Sequence, residues 1–284
     1  MVRRRTQQTA ARTIGHPSAI VRWDDVEVGQ DIGLAAGALN VGLHRLAIAP
    51  GETAAQSDAP VEEIVFVLEG SGSWENGSEK SEVRPGSCGV RPAQDRGHLL
   101  RAGNDGLTVL AFVSPIARKL YSSPTASKPN IVNVEDIEPA YEGESGKWVV
   151  VARKAGAVRG GLNWGYLEPG KTGAEPHLHS ADEEVFVILE GGGTLELWPS
   201  PVLAEDTERE EHEIRAGDVV WRPPSTGIAH FLRGGDEGMT FLAYGTREPN
   251  DVCYYPRSNK IYWRGVGLIT RLESLGYDDG EPED

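Results

Sequence analysis

The chain has 284 residues, with 35 glycines, 18 prolines and a net charge of −15. This wealth of turn-forming residues favours an all-β protein, and the acidic balance argues against nucleic acid or an anionic membrane surface as the main partner. Only two cysteines are present and no apolar run reaches membrane-spanning length, so we expect a cytoplasmic protein without a disulfide framework.

Residues 1–34 are predicted to form an N-terminal arm. The arm begins with the basic sequence MVRRR but lacks the apolar core of a signal peptide. Chain ends of this composition are usually poorly ordered, so we expect the arm to be partly disordered.

Residues 35–115 are predicted to form a first β-barrel. Segments such as LHRLAIAP, EIVFVLEG and LTVLAFV are short, rich in Val, Ile, Phe and Leu, and separated by Gly, Pro, Asp and Asn turns. Short strands at this spacing are typical of a sandwich or barrel. A linker is predicted over residues 116–144, where Ser, Pro and Lys concentrate and the apolar alternation stops.

Residues 145–247 are predicted to form a second barrel because they repeat the first. EEIVFVLEG (62–70) reappears as EEVFVILEG (183–191), and RPGSCGVRPAQDRGH (84–98) corresponds to RAGDVVWRPPSTGIAH (215–230). Matched segments in the same order indicate a duplicated domain. In the second copy, EVFVILEG has apolar residues on both faces of the strand. One face can fill the barrel interior, and the other must be covered by a second sheet, a second barrel or a partner subunit.

Residues 248–284 are predicted to pack on a barrel or on a partner subunit, because REPNDVCYYPRSNKIYWRGVG is too aromatic for a free tail. The chain then ends in an acidic tail. Together with the doubly apolar strands, this segment leads us to expect a homodimer.

A metal site is predicted in the second barrel. His177 and His179 are two residues apart on one strand and therefore share a face. Glu184 begins the next strand, with Glu183 as an alternative, and His230 follows in the second repeated element. Three imidazoles and one carboxylate suit a divalent transition-metal ion, with Fe, Mn, Zn, Ni, Co and Cu not distinguished.

These residues resemble the two motifs of the cupin superfamily. His177-x-His179-x4-Glu184-x6-Gly191 follows the first motif, with Gly170 one residue further upstream than the pattern has it. Gly217, Pro223, Gly227 and His230 follow the second motif with a longer spacing between proline and glycine, and Gly234 replaces its asparagine. The resemblance implies a bicupin, that is, two tandem double-stranded β-helix (jelly-roll) barrels with little helix.

The first barrel departs from the motif at the histidines. The matching positions hold Gln56, Asp58, Glu63 and His98, and losing two imidazoles lowers the affinity for transition metals. We therefore expect one metal ion per chain. This degenerate set differs from oxalate decarboxylases, which the chain resembles in its duplication but which carry the metal residues in both barrels.

The resemblance implies a metalloenzyme that acts on a small oxygen-bearing organic substrate. A dioxygenase is slightly favoured, and the alternatives are a metal-dependent isomerase, lyase or hydrolase and a non-catalytic metal- or ligand-binding protein. The YGTREPNDVCYYPRSNKI segment resembles a tail found in bacterial cupin proteins. Candidate pocket residues around the site are Trp164, Tyr166, Trp221 and Arg222.

Overall fold

A computed structural model describes residues 12–14, 18–54, 61–92, 98–115, 130–201, 203–204, 207–273, 275 and 279–280. This part of the chain is almost entirely antiparallel β-structure. Two short strands, β1 (Arg12–Ile14) and β2 (Ser18–Arg22), come first, and one α-helix, α1 (Ile32–Ala36), follows them. No helix in the described part has the length and apolar character needed to cross a membrane.

The first barrel is built from six antiparallel strands, β3 (Gly42–Ile48), β4 (Val61–Asn76), β5 (Glu79–Val83), β6 (Ser87–Arg91), β7 (His98–Pro115) and β8 (Val132–Asn133). They lie in the order β3-β7-β4-β6-β8, and β5 pairs with β4. The long β4–β7 ladder shifts register on either side of Gly70. Gly70 has a φ of +82°, and a Cβ there would lie 2.3 Å from the Gly106 carbonyl oxygen, so this bend requires glycine.

The second barrel repeats this pattern with β9 (Tyr141–Gly143), β10 (Gly146–Val150), β11 (Gly160–Leu167), β13 (Glu184–Pro199), β14 (Glu210–Arg215), β15 (Asp218–Arg222) and β16 (Ile228–Thr246). Between β11 and β13 lies β12 (Leu178–His179), which belongs to a separate sheet. The long β13–β16 ladder bends at Gly191 as β4–β7 bends at Gly70. The duplicated all-β architecture with little helix is thus confirmed.

Each barrel receives a strand from the segment that precedes the other barrel. The strand β2 pairs with β15 of the second barrel, and β8 pairs with β6 of the first. The predicted arm (1–34) and linker (116–144) therefore differ from the structure, because each contains a strand that is hydrogen-bonded into a barrel. Residues 1–11, 15–17 and 116–129 lie outside the described part.

Three apolar clusters divide the core. One fills the interior of the first barrel, one fills the interior of the second, and the third lies between the two barrels. Along β13, Phe186 and Ile188 face the barrel interior, whereas Val185 and Val187 join the cluster shared with the first barrel. The doubly apolar strand is therefore covered by the other barrel of the same chain. In the shared cluster the rings of Phe112 and Tyr244 stack with centroids 5.0 Å apart.

Two buried glutamates join the barrels reciprocally. Glu62 of the first barrel accepts hydrogen bonds at 2.8–2.9 Å from three consecutive backbone N–H groups of the second, at residues 158–160. Glu183 of the second barrel accepts from the backbone N–H groups of Leu39 and Asn40 at 2.8 and 2.6 Å. Each glutamate immediately precedes the glutamate of the metal motif, so the duplicated Glu-Glu pair carries an inter-barrel contact as well as a predicted ligand.

The C-terminal segment forms a third sheet with β12. Its strands β17 (Val252–Tyr255), β18 (Lys260–Trp263) and β19 (Leu268–Arg271) follow one another in the order β12-β17-β18-β19. The aromatic segment thus packs on the second barrel of its own chain. Since intramolecular contacts account for both observations that led us to expect a homodimer, the oligomeric state stays a prediction. The last four residues of the acidic tail lie outside the described part.

Candidate metal centre

The main chain places His177 beside His230. The two residues form an isolated antiparallel bridge in which each backbone N–H donates to the carbonyl of the other, at 3.2 and 2.9 Å. Their imidazole rings lie with centroids 4.7 Å apart. Residues 53 apart in the sequence are therefore brought to one point at the mouth of the second barrel.

Glu184, the first residue of β13, completes the group. Its Oε2 lies 2.9 Å from His230 Nε2 and 3.5 Å from His179 Nε2. One ligand atom each from His177, Glu184 and His230 all lie within 4.8 Å of one another. Four ligand atoms held about 2.1 Å from a shared ion would be separated by roughly 3–4 Å. His177, Glu184 and His230 thus converge on one point, and His179 lies beside this group through its 3.5 Å approach to Glu184.

Two of the histidines are oriented through Nδ1. The Nδ1 of His177 donates to the Glu175 carbonyl oxygen at 2.7 Å, and that of His179 donates to the Asp251 carboxylate at 2.7 Å. In the neutral form of each imidazole the proton is therefore on Nδ1, which leaves the lone pair of Nε2 for an ion. Hydrogen bonds of this kind fix the ring orientation of metal-binding histidines.

Two buried atoms at the centre make no hydrogen bond of acceptable geometry within the described residues. They are Glu184 Oε2 and His230 Nε2, which are close together but poorly aligned. Buried polar atoms normally have a partner, and a cation between these two would satisfy both. The residues present therefore fit a divalent ion with nitrogen and oxygen ligands.

The charges of the metal-free site are strongly coupled. Burial alone would lower the pKa of His179, but the Glu184 and Asp251 carboxylates outweigh it and raise that pKa to about 9. Burial lowers the pKa of His230 to about 3 against the pull of Glu184. Burial would raise the pKa of Glu184, yet the imidazoles of His179 and His230 hold it well below its usual range. His179 must therefore release a proton to bind an ion at neutral pH.

The C-terminal segment supplies part of the site that the sequence did not reveal. Asp251 is fully buried and, besides His179, accepts hydrogen bonds from the backbone N–H groups of Ala181 and Asp182 at 3.0 and 3.1 Å. Arg264 balances this charge, at 2.5 Å from the Asp182 carboxylate and 3.5 Å from that of Asp251. The fold of the C-terminal segment is therefore coupled to the orientation of a predicted ligand.

A cavity of about 180 Å³ is lined by three of the four predicted ligands, His177, Glu184 and His230. Aromatic side chains form part of its wall, and polar and cationic groups lie on other sides; these residues include Trp148, Asn163, Phe186, Phe241, Arg247 and Arg264. A second cavity, of about 390 Å³, shares Trp148, Gly173 and Ala174 with the first. Trp148 thus lies between the metal-site cavity and an outer, mostly apolar groove.

The candidate pocket residues lie elsewhere. Trp164 packs against the inter-barrel cluster, and Trp221 is buried in it, with its indole N–H donating to Glu183 at 2.5 Å. Tyr166 lines the outer groove. Arg222 is only 2% exposed and donates to the Ile228 carbonyl oxygen at 2.7 Å, so it is neither a surface residue nor free to hold a substrate. The predictions for Trp164, Trp221 and Arg222 were wrong. Trp164 and Trp221 pack toward the other barrel, whereas Arg222 faces the interior beside Glu184 but is held by the Ile228 carbonyl oxygen and does not line the cavity.

The predicted alternative ligand Glu183 is also excluded by its contacts, since its carboxylate is occupied between the barrels. In the first barrel, Glu63 forms a buried ion pair with Arg91 at 2.9 Å, and His98 lines a cavity of only about 30 Å³. Gln56 and Asp58 lie outside the described part. Among the described residues, the groups of potential metal ligands fall around the second barrel.

Comparison with solved structures identifies the fold of the chain. No family model matches the sequence, and no curated protein matches it. Among solved structures, a Bacillus subtilis oxalate decarboxylase studied for its Mn(II) centres is 15% identical, with a TM-score of 0.58 over 83% of this chain and 74% of that one. A Lactobacillus farciminis oxalate decarboxylase in complex with formate is also 15% identical, with a TM-score of 0.59 over 84% of each chain. The chain therefore shares the two-barrel cupin fold of these enzymes.

Proposed function

We propose that this chain is a metal-dependent enzyme that binds one divalent transition-metal ion and acts on a small oxygen-bearing organic substrate. The ligands are His177, His179, Glu184 and His230. The observation that carries the proposal is the grouping of His177, Glu184 and His230 beside a cavity, with His179 Nε2 3.5 Å from Glu184 and with buried atoms of Glu184 and His230 that make no hydrogen bond within the described residues. The Mn(II) centres named for the structurally similar oxalate decarboxylase support the same class of ion.

The metal would supply Lewis-acid chemistry and, for a redox-active ion, dioxygen chemistry. The chain's own residues hold and enclose the substrate. Trp148, Phe186 and Phe241 form an apolar wall that excludes water, and the Asn163 side chain offers a hydrogen-bonding amide. Asp251 keeps the proton of His179 on Nδ1, which leaves Nε2 directed at the ion.

The first barrel has a supporting role in this proposal. The guanidinium of Arg91 lies against Glu63, at the position that matches the ligand Glu184, and the cavity beside them has a volume of only about 30 Å³. Glu62 and the cluster between the barrels hold the second barrel in place. We therefore propose one ion per chain.

For the reaction class we propose a dioxygenase, because three neutral nitrogen ligands and one carboxylate suit Fe(II) with coordination positions left open. A metal-dependent isomerase, lyase or hydrolase uses the same ligands without oxygen. A non-catalytic binding protein would bind the ion and the small molecule with no turnover. Two measurements separate these three classes. Consumption of dioxygen distinguishes the dioxygenase from the isomerase, lyase or hydrolase, and formation of a product distinguishes both from the binding protein.

Protein reconstituted separately with Fe(II), Mn(II) and Zn(II) is expected to convert a small oxygenated substrate, and the Fe(II) form is expected to consume dioxygen while doing so. The variant His177→Ala is expected to lose at least a hundredfold in rate while its circular dichroism stays that of the wild type. His212→Ala is the matched control, because His212 lies on β14 and is paired with Glu210, outside the four ligands.

Turnover that is equal with and without dioxygen would exclude the dioxygenase and favour the lyase, isomerase or hydrolase. Metal and ligand binding without turnover in any form would favour the binding protein. Full activity of His177→Ala would contradict the proposed centre itself.

A further inference from the structure

Arg247 is an exposed arginine at the cavity that makes no ion pair within the part of the chain that the structure describes. It directly follows β16, whose last four residues, 243–246, all line the cavity. Arg247 lines the same cavity as the ligand Glu184. Its backbone N–H donates to the Arg159 carbonyl oxygen at 3.0 Å, which anchors the main chain at this point.

The side chain of Arg247 lies over Gly161. The Cδ, Cγ and Nη1 atoms of Arg247 lie within van der Waals distance of the position that a Cβ at Gly161 would take, and Gly161 also lines the cavity. Within the described residues the Arg247 guanidinium makes no hydrogen bond and no ion pair. The other cavity arginine, Arg264, differs in being held by Asp182 and Asp251.

The charge around Arg247 favours an anion. Burial and then the neighbouring cations Arg264 and Arg153 lower the pKa of Arg247, with Asp182 acting in the opposite direction. Arg247, Arg264 and Arg153 thus form a locally cationic region, although the chain as a whole has a net charge of −15. A bound anion would relieve this repulsion and occupy the donors that Arg247 directs at the cavity.

We propose that Arg247 binds the carboxylate of the substrate, so that the substrate class of the metal site is a small carboxylic acid in its anionic form. The planar two-oxygen carboxylate matches the fork of one guanidinium. A cavity of about 150 Å³ accommodates benzene, so the space of about 180 Å³ limits the remainder of the molecule to about the size of a six-membered ring. This inference rests on the proposed function, since it names what that site binds.

The test compares carboxylates with neutral molecules of the same shape. Formate, pyruvate and benzoate are titrated by calorimetry into protein loaded with Mn(II), each beside its amide, and the metal content of every sample is measured. At least one carboxylate is expected to bind about tenfold more tightly than its amide. Arg247→Met is expected to abolish that preference and keep the metal, whereas Arg247→Lys keeps part of it.

Arg153→Met is the matched control, because it removes the same charge from a neighbouring arginine outside the set that lines the cavity. It is expected to keep the preference. The inference is overturned if carboxylates and amides bind alike, if Arg247→Met retains the preference, or if inorganic phosphate binds more tightly than every carboxylate. A wild-type protein that takes up no metal would instead overturn the proposed function, and the titrations would then be read on the metal-free protein.

Discussion

Glu183→Gln is expected to lower the free energy of unfolding by on the order of 3 kcal/mol. The carboxylate of Glu183 is 1% exposed and accepts from the backbone N–H groups of Leu39 and Asn40 and from the indole N–H of Trp221. An amide presents an NH₂ group to at least one of these buried donors, which is then left unpaired. Chemical denaturation followed by circular dichroism measures the loss.

Glu190→Gln is the matched control for this variant, since Glu190 is an exposed glutamate on β13, the strand that begins directly after Glu183. Its effect should stay within about 0.5 kcal/mol, as for most surface substitutions. Glu183→Gln is also expected to keep its metal, because Glu183 points away from the centre. Equal unfolding midpoints for the two variants would contradict an inter-barrel role for Glu183, and loss of the metal in Glu183→Gln would make Glu183 a ligand.

Asp251→Asn is expected to weaken metal binding by about 10- to 100-fold. The substitution keeps the size of the side chain but removes its negative charge. In the wild type the charged carboxylate accepts the Nδ1 proton of His179, with 2.7 Å between Nδ1 and the carboxylate oxygen. The ring then loses both its fixed orientation and part of its basicity as a ligand. Competition with a chelator of known affinity, monitored at equilibrium, measures the change.

Glu175→Gln separates this effect from a general loosening of the site. It removes the ion pair of Glu175 with Arg257 at 2.8 Å but leaves the backbone carbonyl that accepts from His177. Its metal affinity should equal that of the wild type. If Asp251→Asn binds metal as tightly as Glu175→Gln does, the carboxylate does not position His179, and the C-terminal segment has no role in the centre.

The four proposed metal ligands could be identified from the sequence because their positions follow from strand periodicity and from the internal repeat. The separation of His177 and His179 by two residues fixes a common face, and the parity of β13 separates Glu184, which faces inward, from Glu183, which faces the other barrel. Asp251 could not be identified from the sequence in this way. It lies 72 residues from His179, in no motif, and only the pairing of β12 with β17 brings the two together.

The prediction of the pocket residues was wrong for a related reason. Aromatic residues were chosen by their proximity in sequence to the ligands, but Trp221 lies beside Val220, which faces the barrel interior, and therefore faces the other barrel. The repeat also extends upstream of each barrel, although only the structure shows that these strands pair with the other barrel. IVRWDDVE (20–27) and IVNVEDIE (131–138) form a further matched pair upstream of each barrel, and both contain the strands that cross over.

The most direct test of the metal centre is elemental analysis of purified, metal-reconstituted protein. The wild type and His212→Ala are expected to contain about one transition-metal ion per chain, and a His177→Ala/His179→Ala double variant to contain almost none. Retention of the ion by the folded double variant would contradict the centre described here. Two ions per chain in the wild type would contradict its restriction to the second barrel.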